Sequence, residues 1–188
     1  MSQRPRGAGK NSFSLIDADL LFAGLQLGRG GVFIDLACGP GAYSLEAARR
    51  FPDVQIHSFD LAPDLIAELR QQAAGQANIS AEVADIGRSI PMAAASVDAC
   101  LMAMIVHDLV ADKAAAESLR EVRRVLRPGG VLAVVEFKKV APPPGPPLQV
   151  RLAPSELETL LAGNGFRLKK SVDAGASAYI SIFSPSGA

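Results

Sequence analysis

The chain has 188 residues, a formal net charge of zero and an apolar content of 49%. That length builds one full core, and the balance of charge and apolar residues excludes both intrinsic disorder and a generic polyanion-binding surface. No basic stripe interleaved with aromatics marks a nucleic-acid partner, and no window approaches the roughly 18 apolar residues of a membrane span.

The opening MSQRPRGAGKNS carries arginines without the apolar stretch of a signal peptide. Cys38 and Cys100 lie far apart without CxxC spacing, so neither a disulfide framework nor a metal site is expected. A reducing, cytoplasmic setting fits this usage. Residues 1–12 read as a flexible N-terminal arm and 13–188 as a single domain. The pattern assigns no oligomeric state.

In chain order, Ser14–Leu27 carries apolar residues at helical spacing, and Gly28 closes that helix. Val32–Ala37 is a first strand. Cys38–Gly41, with Gly39 and Gly41, is a tight turn of small residues, and a helix follows over Ala42–Phe51. Val54–Phe59 is a second strand, Pro63–Ala74 a helix and Ile79–Ala84 a third strand. After a loop over 86–95, Val97–Ala103 is a fourth strand, apolar as expected of a strand covered on both faces.

Asp112–Leu126 shows the strongest apolar stripe, with Asp112 placed to cap a helix, and Pro128-Gly129-Gly130 stops it. Val131–Phe137 is a fifth strand. Residues 141–150 hold five prolines and form a stiff connection. A helix over Pro154–Ala162 and two closing strands, Phe166–Val172 and Ala178–Phe183, complete the chain. Alternating strands and helices predict a parallel sheet, and the short Asp173–Ser177 connection makes the last pair antiparallel. The expected fold is α/β, a three-layer sandwich around a seven-stranded, mostly parallel sheet.

Three consecutive strands end in an acid: Asp35, Asp60 and Asp85. The carboxyl edge of a parallel sheet is where ligands sit, and an acid some ~20 residues beyond the glycine turn is placed to accept both hydroxyls of a ribose. A dinucleotide fingerprint needs a third glycine where this chain has Ser44, and Asp35 before the turn repels a pyrophosphate. The acids favour a cationic nucleoside. Each also has a plainer reading as the cap of a following turn or helix.

DLACGPG, HSFDLAPDLI, VADIGRSIPMAAASVDACLMAMIVHDL and above all LREVRRVLRPGGVLAVVEF resemble, in this order, the motifs of small class I S-adenosylmethionine-dependent methyltransferases. The resemblance runs from about Leu15 to the C-terminus. It departs at Pro40, where Thr, Ser or Ala is commoner, and at His107-Asp108, which replaces a frequent His-His. It implies the Rossmann-like methyltransferase fold, S-adenosylmethionine as cofactor and S-adenosylhomocysteine as product. By that resemblance Asp35, Ala37, Gly39 and Gly41 line the methionine portion. Asp60 holds the ribose, Leu61 packs on adenine, Asp85 and Ile86 frame its edge, and Met102 or Ala103 contacts the cofactor from below.

Methyl transfer asks little of side chains, because the sulfonium already activates the methyl group and the protein has mainly to align the acceptor and exclude water. In-line displacement with little or no acid/base chemistry is therefore expected, the alternative being a cofactor-binding domain without chemistry. His107 is the candidate base, or else a structural histidine; His57 reads as structural. Glu136 and Lys138 are expected at the same edge, orienting a polar substrate. Tyr43 either lines the pocket or packs, Cys38 packs, and the arginines of Arg120–Arg127 form a solvated helix face. Lys10–Phe13, the loop after the fourth strand and Pro142–Pro147 are the candidate walls for a small-molecule acceptor.

Overall fold

The computed structural model describes residues 12–141 and 145–187. Seven strands form one sheet: β1 (Val32–Leu36), β2 (Gln55–Asp60), β3 (Ile79–Val83), β4 (Val97–Ala103), β5 (Leu126–Phe137), β6 (Phe166–Asp173) and β7 (Ala178–Pro185). Their spatial order is β3-β2-β1-β4-β5-β7-β6. Pairs among β1–β5 are parallel, and β7 runs antiparallel to both β5 and β6. The chain turns from one direction of strand addition to the other between β1 and β4, which opens a crevice beyond their carboxyl ends.

Among the described residues six helices cover the sheet: α1 (Ala18–Gly24), α2 (Ala42–Arg50), α3 (Pro63–Gln72), α4 (Val106–Ala111), α5 (Ala115–Val125) and α6 (Pro154–Gly163). Alternation along the strands sorts the core. Phe33, Ala99, Leu101, Ala133 and Val135 face α1 and α2, whereas Ile34, Leu36, Cys100, Met102, Leu132 and Val134 face α4, α5 and α6. Leu119, Val122 and Val125 of α5 are fully buried, each burial worth roughly 1.5–3 kcal/mol. That is the apolar stripe legible in the sequence. Among the described residues no helix is long and apolar enough to cross a membrane.

Three expected elements differ. The first helix starts at Ala18 because the Asp17 carboxylate accepts from the backbone N–H groups of Asp19 and Leu20, at 2.9 and 3.3 Å; Phe13–Leu15 is a separate 3-10 turn. Asp112 caps no helix start. It ends α4, an unexpected six-residue helix, and Lys113 at φ +59° breaks the chain before α5 begins. Residues 104–111, where His107 and Asp108 interrupt the apolar positions, read in the sequence as a loop after the fourth strand. Third, β5 starts earlier than expected, at Leu126, with a register shift against β4 between Val97 and Ala99.

The Arg120–Arg127 face is only partly solvated. Arg120 pairs with Glu117 on the surface, but Arg124 donates to the carbonyls of Met92 and Ile90 at 2.8 Å each. Arg127 pairs with Asp98 at 2.8 Å. These arginines fasten the connection from β3 to β4.

Candidate functional site

At the first half of the crevice, the turn after β1 places Ala37, Gly39 and Gly41 at φ +59°, +56° and +85°. A Cβ on Gly41 collides with the Leu69 side chain, so that position admits glycine alone. A Cβ on Gly39 meets nothing within 4 Å: this flank of the turn is open to a ligand. The turn is tied down by Cys38 N–H to Phe59 C=O at 3.0 Å and by Gly39 N–H to Asp60 Oδ2 at 2.8 Å. Asp60 Oδ1 accepts from Ala62 N–H, also at 2.8 Å. Each carboxylate oxygen thus has one backbone donor and keeps acceptor capacity for a hydroxyl.

Ala84 N–H bonds to the Asp60 carbonyl at 3.0 Å, which sets the start of the Asp85 turn against the end of β2. The Asp85 carboxylate accepts from Gly87 N–H at 3.0 Å and pairs with Arg88 at 3.2 Å, its side chain 44% exposed. Leu61 and Val83, at the ends of β2 and β3, are each half exposed. Ile86 is buried in the core beneath.

Asp35 is placed differently from the expectation. It is 1% exposed, and its carboxylate accepts from Ser44 Oγ at 2.6 Å, while Ser44 in turn accepts from Ser58 Oγ at 2.8 Å. Burial pushes its pKa up to about 7, against the Ser44 hydrogen bond and helped by the nearby Asp60 charge. The residue standing where a dinucleotide site needs glycine is thus the partner of this acid. Met102 is also displaced from its expected role: at 0% exposure it offers a ligand no surface, and Ala103 is the accessible member of that pair. Cys38 packs against Ile66 and Leu69, as expected. Tyr43 packs too, its hydroxyl 3.0 Å from Ser12 Oγ and its ring edge-on to Phe13. Lys10 lies outside the described residues.

The second half of the crevice is built around His107. Met104, at φ +56° with its N–H on Val135 C=O, turns the chain out of β4 so that α4 starts over the end of β5. Glu136, in line with Leu132 and Val134 on one face of β5, is 0% exposed. It accepts from the His107 backbone N–H at 3.1 Å, and its oxygens lie 3.0 and 2.9 Å from Nδ1. That bond places the proton on Nδ1 and leaves Nε2 as the basic atom. Burial alone lowers the His107 pKa, but the Glu136 hydrogen bond and charge, with Asp108, hold it above its ordinary value.

Glu136 therefore orients a histidine, not a substrate. Lys138 is turned away as well, bonded to Gly175 C=O at 2.9 Å and to Asp173 at 3.1 Å. His57 is structural, its Nδ1 2.8 Å from Ser80 Oγ on the neighbouring strand.

A pocket of about 250 Å³ opens beside His107, lined by Val110, Ala111, Val150 and Leu152 with Lys139, Gln149, Arg151 and Glu156. It adjoins the second half of the crevice and shares no lining residue with the glycine turn. Pro142–Pro144 lie outside the described residues. Gly145 lies against the Phe137 ring, Pro146 C=O accepts from Arg151, and Gln149–Leu152 supply the described part of the pocket wall after the proline-rich segment. Arg151 and Glu136 are the members that periodicity did not single out for these roles. The one available signal was a carboxylate in the otherwise apolar VLAVVEF.

A glycine turn open on one flank, a ribose-type acid with spare acceptor capacity and an apolar rim at Leu61 and Val83 define a Rossmann-like, nucleoside-binding α/β protein. A family model described as a methyltransferase domain matches residues 33–130. The chain belongs to the class I S-adenosylmethionine-dependent methyltransferases, whose cofactor is S-adenosylmethionine.

It is 36% identical over 131 residues to acetylserotonin O-methyltransferase of Rattus norvegicus, covering 68% of this chain and 29% of that protein. It is 38% identical over 112 residues to demethylmenaquinone methyltransferase of Deinococcus radiodurans, covering 59% and 43%. The match thus spans less than half the length of these curated relatives. A S-adenosylmethionine-dependent methyltransferase from Aquifex aeolicus superposes with a TM-score of 0.82 at 21% identity, over 92% of this chain and 91% of that one.

Proposed function

We propose that this chain transfers a methyl group from S-adenosylmethionine to a small-molecule acceptor, with His107 as general base. The observation that carries the reading is the buried His107–Glu136 pair beside the pocket lined by Val110, Ala111, Val150 and Leu152, on the β4–β5 side. The relatives' names point the same way, acetylserotonin and demethylmenaquinone being small organic acceptors.

Asp60 would hold the ribose, the backbone at Ala37, Gly39 and Gly41 the methionine portion, and Leu61 with Asp85 the adenine. Asp35 acts from below, fixing the turn to α2 through Ser44. The cofactor, when bound, supplies a methyl group made electrophilic by its sulfonium. The chain's own residues do the rest. The apolar wall of Val110, Ala111, Val150 and Leu152 excludes water and aligns the acceptor. His107 Nε2 takes the proton that the acceptor's hydroxyl or amine gives up as its bond to the methyl carbon forms, and Glu136 stabilises the resulting imidazolium. This assigns more acid/base work to side chains than the sequence led one to expect.

The test is calorimetric titration with S-adenosylmethionine and S-adenosylhomocysteine, wild type beside Asp60→Ala. We expect binding of both ligands by the wild type and at least a ~100-fold loss in the folded variant, since two charge-assisted hydrogen bonds go. No binding by the wild type refutes the reading. Binding without turnover across a screen of small acceptors supports a domain that only binds the cofactor.

A further inference from the structure

Residues 12–17 are fastened at both ends to the carboxyl edge of the sheet. At one end Ser12 Oγ lies 3.0 Å from the Tyr43 hydroxyl, and the Phe13 ring stands edge-on to Tyr43 with centroids 5.1 Å apart. Tyr43 is the second residue of α2, directly after the glycine turn. At the other end Asp17 N–H donates to Ala174 C=O at 2.7 Å, in the turn between β6 and β7. Beside it Leu15 C=O lies so close to Gly175 that a Cβ there would collide with the oxygen. Lys138, just beyond β5, holds the same turn through Nζ on Gly175 C=O at 2.9 Å and its own N–H on Ser177 C=O at 2.8 Å.

Tyr43 follows β1 and the 174–177 turn precedes β7, so the ends of β4 and β5 stand between the two anchors. Three strand spacings come to about 14 Å, and five residues that include a 3-10 turn reach about the same distance. The segment therefore crosses the edge with little slack. It crosses on the α1–α2 face, where Phe13 and Ile16 pack in one apolar group with Tyr43, Ala103 and Met104. None of residues 12–17 lines the His107 pocket. Phe13, expected from the sequence as an acceptor wall, thus stands on the cofactor side. The anchors also differ in kind. Contacts at Tyr43 are between side chains, whereas those at the hairpin involve backbone and leave no room for a side chain at Gly175.

We propose that Ser12–Asp17 is a strap closing the methionine end of the cofactor site, with Phe13 and Ser12 on Tyr43 as its latch and Asp17 on the hairpin as its fixed end. The cofactor enters and leaves as the latch parts. This rests on the placement of the methionine portion at the glycine turn. That turn is open on its Gly39 flank, and a sulfonium held there needs cover, because methyl transfer requires water to be excluded. A ligand that touches the closed strap favours closure, and closure in turn slows its escape.

Amide hydrogen exchange by NMR on the full chain, free and saturated with S-adenosylhomocysteine, follows the strap residue by residue. Leu15 N–H, bonded to Ser12 C=O at 2.9 Å, reports the latch, and Asp17 N–H reports the fixed end. The ligand should slow exchange at Leu15 at least ~5-fold and alter Asp17 less than ~2-fold. Phe13→Ala should speed dissociation of S-adenosylhomocysteine about tenfold, and Tyr43→Phe, which keeps the ring and loses only the hydroxyl, about fivefold. Asp17 exchange in both variants should match the wild type.

A wild type that binds S-adenosylhomocysteine with no change at Leu15 overturns the strap and leaves the cofactor site standing. So does release at the wild-type rate from Phe13→Ala, or from Tyr43→Phe where the alanine variant does not fold. A wild type that binds no S-adenosylhomocysteine overturns the site itself, and the strap with it. Equal acceleration of exchange at Leu15 and Asp17 in Phe13→Ala means that the segment detaches whole, which overturns the fixed end.

Discussion

On the β1–β2–β3 side of the crevice, Asp35, Asp60 and Asp85 sit at consecutive strand ends; Asp35 bonds the first turn of the next helix, Asp85 its own turn, and Asp60 both Ala62 N–H and the Gly39 N–H of the neighbouring unit. On the β4–β5 side, His107 and Glu136 come from separate elements and meet only because β5 lies beside β4, and Arg151 packs on Phe137 where the chain returns after the prolines. The first side is built from strand ends and the turns and helix starts that follow them. The second is a non-local pairing of buried groups, His107 on α4 with Glu136 on β5. Cofactor recognition and acceptor chemistry should therefore fail separately.

The largest effect should come from His107→Asn, expected to lower methyl transfer by about 10²–10⁴-fold while cofactor affinity stays within about twofold, measured by turnover and calorimetry side by side. A parallel loss of cofactor binding would break the division into two sides. Next is Gly41→Ala. A left-handed φ and a clash with the buried Leu69 side chain should together cost about 3 kcal/mol of stability in chemical denaturation.

Asp35→Asn should do the opposite. The folded-state pKa, raised from 3.8 to about 7, means the native protein holds this proton more tightly than the unfolded chain. That stabilisation is fully present below pH 4 and is lost as pH rises through 7. The asparagine variant removes the buried charge. At pH 8 it should be more stable than wild type by about 2 kcal/mol, roughly half the full linkage because the amide nitrogen needs a new partner, and it should lose the wild type's decline between pH 4 and 7. Thermal unfolding across that range checks both. The smallest effect, about 1 kcal/mol, is expected for Arg124→Ala, which frees the Ile90 and Met92 carbonyls and loosens the β3–β4 connection. Hydrogen exchange at residues 86–95 would register it.

Periodicity and punctuation alone determined the alternation of strands and helices, the antiparallel end and the turn with its acids. Each depends on residues close in the chain: apolar spacing on α5, the glycines at 39 and 41, Asp60 at a strand end. What the sequence could not show was which way a buried side chain faces and what it meets there. Asp35 turns to Ser44 rather than outward, Met102 goes into the core, and Glu136 serves a histidine 29 positions earlier. Only the tertiary structure decided these, because a charge out of water must take whatever partner the packing of distant elements brings within hydrogen-bond reach, and strand register, not sequence proximity, chooses that partner.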